Sequence, residues 1–152
     1  MTDTITIKNN ELIGIANFLR KATLKNVASI GRTRLIKLLS AKQDEVIEDT
    51  KELAKRYAEL DEKGQVKTEI VKDEEGNELP YEQILFKSEE DEATYSKEYL
   101  DIIQNRSSII DVKEHKERML DLLQGLYNLE DDLKEEDAFF YSELLEALET
   151  LK

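Results

Sequence analysis

Leu39, Val46, Leu53 and Leu60 recur every seven residues, and no glycine or proline interrupts the run between them. Apolar side chains at that spacing line one face of an α-helix and make a seam that another helix can cover. Leu35, Ile36, Ala54 and Tyr57 lie beside the seam, and Lys55, Arg56 and Glu59 fall on flanking faces. The run predicts a helix from about residue 30, behind a Ser29 cap, to Lys63, with Gly64 as the glycine just past its end. Some 30 residues rising 1.5 Å each give a rod of about 45 Å. A rod of that length needs two shorter helices, or a second copy of itself, along its seam. The chain has one proline, Pro80, and five glycines, so few residues oppose long helices elsewhere.

The remaining segments read as shorter elements. Thr4-Ile5-Thr6-Ile7 alternates with period two and is β-branched throughout, which predicts a short N-terminal strand. Asn9 or Asn10 then caps a helix with Leu12, Ile13, Ala16 and Leu19 on its apolar stripe. Residues 66–87 change character. Val66 to Val71 is strand-like, Lys72 to Asn77 turn-like, and Tyr81 to Phe86 can return as a strand, so a small antiparallel hairpin is predicted. A lone hairpin is marginal in water. It is expected to dock on helices or to pair with the strand at Ile5–Ile7. Ser88 with Asp91 has the capping-box spacing and opens a third helix to about Arg106. Ser107 to Ile110 is a connection or a short strand. A fourth helix runs from about Asp111 to Asn128, and a fifth from about Lys134 to Leu151. The fold class is therefore mainly α, with about five helices, in one domain over residues 1–152; no repeat or proline- or serine-rich linker marks a boundary.

Composition excludes several kinds of chemistry. The chain has no cysteine and one histidine, His115, so thiol nucleophiles, disulfides and a multi-histidine metal site within one chain are out. No apolar run is long enough to span a bilayer, and Met1-Thr2-Asp3-Thr4 does not open like a secretory signal. A cytoplasmic protein without a membrane segment is expected.

Charge is distributed unevenly. Of 22 basic and 35 acidic side chains, residues 1–42 hold eight basic and two acidic ones, a local +6 against −19 for the remainder. Three readings stay open. The acidic helices can lie against the basic first third and compensate it, each surface pair contributing about 0–1 kcal/mol. Arg20, Lys21, Lys25, Arg32 and Arg34 surround the connection between two helices and can form one patch for an anion or a partner. The carboxylate-rich remainder can imitate a phosphate backbone and occupy a nucleic-acid site on another protein. Direct binding to nucleic acid is disfavoured by the net charge of −13.

Local motifs for catalysis are missing. Asp73-Glu74-Glu75-Gly76-Asn77-Glu78 places its glycine fourth, whereas a calcium loop needs it sixth, so a polar turn is expected. His115 sits in a fully charged helical turn, the serines lack a nucleophile elbow, and Gly14 and Gly31 are isolated. Tyr95, Tyr99, Tyr127 and Tyr141 sit at helical spacing and read as core or interface residues. No catalytic residue, metal ligand or cofactor is expected.

Three stretches carry a resemblance. Leu24-Lys25 followed by Ser29-Ile30-Gly31-Arg32-Thr33-Arg34-Leu35-Ile36-Lys37-Leu38-Leu39 resembles the opening of a family of small acidic proteins, without assigned function, encoded by siphophages and prophages of Gram-positive bacteria. Asn9-Asn10-Glu11-Leu12-Ile13 is similar to it too. Leu133-Lys134-Glu135-Glu136-Asp137-Ala138, with Tyr141, Leu144 and Glu149, resembles the closing segment, where Glu136 stands in place of a common glycine. The resemblance implies a phage protein in the bacterial cytoplasm or on the virion, and it brings no catalytic residues. The expected function is non-enzymatic: a protein-interaction role in virion assembly or structure, with a phage or host protein as partner, or a second copy joined along the seam. The alternative is an acidic nucleic-acid mimic that inhibits a host defence or DNA/RNA-binding protein.

Overall fold

A computed structural model describes residues 3–152. Among these the chain is mainly helical, with five α-helices and two small antiparallel two-stranded sheets. In chain order the elements are β1 (Thr4–Lys8), α1 (Leu12–Lys21), α2 (Asn26–Tyr57), β2 (Thr68–Lys72), β3 (Glu78–Ile84), α3 (Glu89–Leu100), β4 (Ser107–Asp111), α4 (Lys116–Tyr127) and α5 (Glu135–Glu149). They gather into two compact units. One comprises residues 3–46 and 103–152, the other residues 47–102. The long helix α2 contributes its first part to one and its last part to the other.

The first unit is built on β1, which pairs antiparallel with β4, Thr4 facing Asp111 and Lys8 facing Ser107. Alternation sends Ile5 and Ile7 inward while Thr6 and Lys8 stay exposed. A 3-10 turn at Asn9–Glu11 leads into α1. Asn9 does not cap that helix. It is buried, and its Oδ1 accepts a hydrogen bond of 2.6 Å from Ser108 Oγ on β4. Leu12, Ile15, Phe18 and Leu19 of α1, Leu35 and Leu39 of α2, Met119, Leu122, Leu123 and Leu126 of α4, and Leu144 and Leu148 of α5 fill the core. Each such side chain stabilises the fold by about 1.5–3 kcal/mol relative to exposure.

Glycines let the helices approach. A Cβ on Gly31 of α2 would collide with the Arg118 carbonyl oxygen of α4 and meet Leu122 Cβ at 2.9 Å. A Cβ on Gly125 of α4 would collide with the Ala28 side chain of α2, and one on Gly14 of α1 with the Phe140 ring of α5. The isolated glycines of the sequence are contact points between helices.

The second unit has a different construction. β2 and β3 form the predicted hairpin, with Thr68 facing Ile84 and a register irregularity between Ile70 and Lys72. At its turn Asp73 Oδ1 accepts from the backbone N–H of Glu75 at 3.0 Å and of Asn77 at 2.8 Å, while Gly76 takes φ +87°. These bonds favour the ionised carboxylate, and the backbone N–H of Asn77 above all holds Asp73 below the ordinary aspartate range. The hairpin does not pair with Ile5–Ile7, whose partner is β4. Instead the chain after α2 joins it: Glu59 N–H donates to Leu85 O at 2.8 Å, Lys67 N–H to Glu59 O at 2.8 Å, and Leu85 N–H to Lys67 O at 3.0 Å. Ser88 caps α3 as its spacing predicts, its Oγ accepting from Asp91 N–H at 3.0 Å. A short π-helical stretch, Asp101–Asn105, follows α3.

The bounds of α2 shift from expectation at both ends. It begins at Asn26, whose positive φ of 54° starts the helix ahead of Ser29. Ser29 lies inside and donates its hydroxyl to Asn26 O at 2.7 Å. It ends at Tyr57 rather than Lys63, because Ala58 bridges to Phe86 and Leu60 to Val66. Strand-type bonding takes the backbone that would have continued the helix.

Candidate interaction surfaces

The heptad seam is partly realised. Leu39, Val46 and Leu53 are buried on α2, whereas Leu60 lies beyond the helix and is exposed. The seam is therefore core packing along three of its positions.

The five basic residues around the α1–α2 connection have separate fates. Arg32 reaches back to the end of α1, its Nη1 donating to Ala22 O at 2.6 Å and to Leu19 O at 3.5 Å. A guanidinium there satisfies carbonyls at a helix C-terminus and complements its dipole. Lys21 forms an ion pair of 2.8 Å with Asp137 of α5. Arg20 donates to Asn17 Oδ1 at 2.8 Å. Lys25 and Arg34 are exposed and have no hydrogen-bond or ion-pair partner among the described residues. The connection itself is held by an acid: Thr23 N–H donates to Asp131 Oδ2 at 2.8 Å. Lys25 shares a cleft with Glu130 and Asp131. Carboxylates thus border the basic connection.

A second feature of the first unit was not legible in the local sequence. Glu11, at the entry to α1, is 7% exposed and lines a cleft of about 450 Å³ with Thr4, Thr6 and Lys8 of β1, Ser107 of β4 and Glu143 and Glu146 of α5. Burial raises the Glu11 pKa, and the nearby Glu143, by its charge and by a hydrogen bond, raises it further; Lys8 opposes both. The Glu11 carboxyl therefore holds its proton more readily than an exposed glutamate does. Among the described residues no group of three or more histidine, cysteine or acidic side chains is placed to hold a metal ion.

The second unit carries a groove of about 630 Å³ between β3 and α3. Phe86 and Tyr95 stack at 5.1 Å between ring centroids, tilted by 45°, and Tyr99 continues the row at 5.7 Å. Phe86 and Tyr95 line the groove and are half-buried, and burial raises the Tyr95 pKa. Glu69, Glu82, Glu89 and Glu92 line it as well and are exposed. Glu69 accepts from Gln83 Nε2 at 2.7 Å and Glu82 from Thr68 Oγ1 at 2.7 Å, both neutral donors. Tyr57, at the end of α2, donates its hydroxyl to Glu98 Oε1 of α3 at 2.9 Å; that bond raises its pKa.

No family model, curated protein or solved structure matches the chain. Residues and geometry are therefore what a functional reading rests on.

Proposed function

We propose that the chain is a non-enzymatic protein-interaction protein of phage or prophage origin, acting in virion assembly or as an accessory part of the particle. One observation carries the interaction reading. Within residues 47–102 the buried apolar side chains are Leu53, Ala54 and Ala58, while Ile47, Leu60, Ile70, Tyr81, Tyr99 and Leu100 are exposed. Single exposed apolar residues are ordinary; an excess of exposure over burial within one compact unit supports a surface for a partner. The resemblance of both chain ends to small acidic phage proteins supports the origin and the bacterial cytoplasm as the place of action. The proposed partner is a phage structural or host protein, with a second copy of the chain as the next candidate.

Capture with tagged full-length chain from infected cells, followed by reconstitution from purified components, tests the reading. A particle component that re-forms a stoichiometric complex is the expected result. Absence of any reconstituted complex, together with turnover by the purified chain that Glu11→Gln abolishes, would overturn it.

The acidic-mimic alternative draws on a separate observation. Residues 47–102 hold 18 acidic and 8 basic side chains, a net charge of −10. A decoy bound through charge alone is released by raising salt, whereas an apolar interface resists it.

A further inference from the structure

The groove between β3 and α3 joins two properties that are separate elsewhere on this unit. Its half-buried part is aromatic, formed by Phe86 and Tyr95. Its exposed part is acidic, formed by Glu69 and Glu82 from the strands and Glu89 and Glu92 from the first turns of α3, and no lysine, arginine or histidine lines it. None of those four glutamates forms an ion pair among the described residues. Glu89 and Glu92 have a local reason to be there, since carboxylates favour a helix N-terminus. Glu69 and Glu82 are held across the hairpin by Gln83 Nε2 and Thr68 Oγ1, neutral donors that leave their charges uncompensated.

We propose that this groove receives a basic segment of a partner protein, with one apolar side chain seated on Phe86 and Tyr95 and lysine or arginine side chains set against Glu69, Glu82, Glu89 and Glu92. The proposal deepens the interaction reading and rests on it. Charge complementarity selects the occupant. A cationic segment is attracted by a unit of net charge −10, while a nucleic acid or an anionic lipid surface is repelled. The aromatic pair adds what charge does not: an anchor that is insensitive to salt, and ring faces on which a guanidinium can stack.

The probe is a short synthetic peptide of alternating lysine and leucine, titrated calorimetrically into the full chain. One control peptide replaces lysine by glutamate and the other replaces leucine by serine. Binding of the lysine–leucine peptide is expected, with no binding of the glutamate control and a loss of about tenfold for the serine control. Glu89→Lys with Glu92→Lys is expected to weaken binding by about tenfold, and Glu74→Lys with Glu75→Lys, the same charge change on the hairpin turn, by less than about twofold. Lysine at the start of α3 can disturb that helix. Glu89→Gln with Glu92→Gln, checked for unchanged circular dichroism, therefore repeats the measurement and is expected to weaken binding in the same direction. Equal weakening by the groove pair and the turn pair would overturn the proposal, since it reports net charge alone. So would equal affinity for the serine control, or no binding of the lysine–leucine peptide at low salt. Salt-dependent self-association seen by light scattering, abolished by the groove variants, would also overturn it by making a second copy the occupant. If the peptide fails while the reconstituted complex stands, the groove falls and the interaction reading survives; if the complex fails too, both fall.

Discussion

The unit formed by residues 3–46 and 103–152 buries 22 apolar side chains, and the unit formed by residues 47–102 buries three, Leu53, Ala54 and Ala58. The first is stabilised by apolar burial between helices and a strand pair. The second relies on backbone hydrogen bonds around Glu59, Lys67 and Leu85, on a carboxylate-held turn at Asp73 and on a row of three rings. Backbone hydrogen bonds contribute only about 0.5–1.5 kcal/mol each once exchange with water is counted. The difference teaches that one chain can combine a region stabilised by apolar burial with one that leaves much of its apolar and acidic surface exposed. Regions of low local stability open first and are where binding surfaces tend to lie.

Substitutions can break that contrast. Leu122 is fully buried beneath Gly31, whereas Ile70 of β2 is 46% exposed. Leu122→Ala is expected to cost about 2–5 kcal/mol in urea unfolding, and Ile70→Ala less than about 0.5 kcal/mol. Similar losses at the two sites would erase the distinction between the units. Gly31→Ala comes next. Its new methyl meets a backbone carbonyl, which cannot swing aside as a side chain can, so a loss of about 1–3 kcal/mol is expected by the same measurement.

Smaller effects sharpen the contrast through pH. Glu11 in the cored unit keeps its proton above the ordinary glutamate value of 4.5, because burial and Glu143 disfavour its charge. The native state then binds more protons than the unfolded chain between that value and the raised one, so stability falls as pH rises through the interval. Glu11→Gln is expected to remove the fall and to raise stability at neutral pH, with no gain well below pH 4.5, as read from melting temperature against pH. Asp73 in the other unit has the opposite sign. Its lowered pKa means that the turn's stabilisation is present above the ordinary aspartate value and is lost as pH falls through the lowered one. Asp73→Ala is expected to speed amide exchange in residues 68–84 while leaving residues 116–127 unchanged; faster exchange in the helix as well would show the turn to be coupled to the core.

Helices were legible because their signals are local. The Ser88 cap, the apolar stripe of α1 and the breaker-free run of α2 each lie within one stretch of chain. What escaped depends on distant partners. Ala58 to Lys63 has helix-forming composition, yet Phe86 and Val66 draw its backbone into bridges, and Leu60 leaves the seam with it. Ser107 to Ile110 reads as either a connection or a strand, because only pairing with Thr4–Lys8 decides it. At the candidate sites the basic residues could be named but their partners could not. Nothing near Arg32 in sequence shows that it closes the end of α1, or that Lys21 meets Asp137. Glu11 looked like one of two acids in a basic third, and its burial comes from α5, more than a hundred residues on.

The β1–β4 ladder sets a schedule for synthesis. Thr4 meets Asp111, so a ribosome must release more than a hundred residues before the first strand finds its mate. Until then Ile5 and Ile7 emerge without cover, and the hairpin and α3, whose bonds are short-range, can form ahead of them. A nascent chain stalled before residue 107 would thus display a sticky N-terminal strand to chaperones.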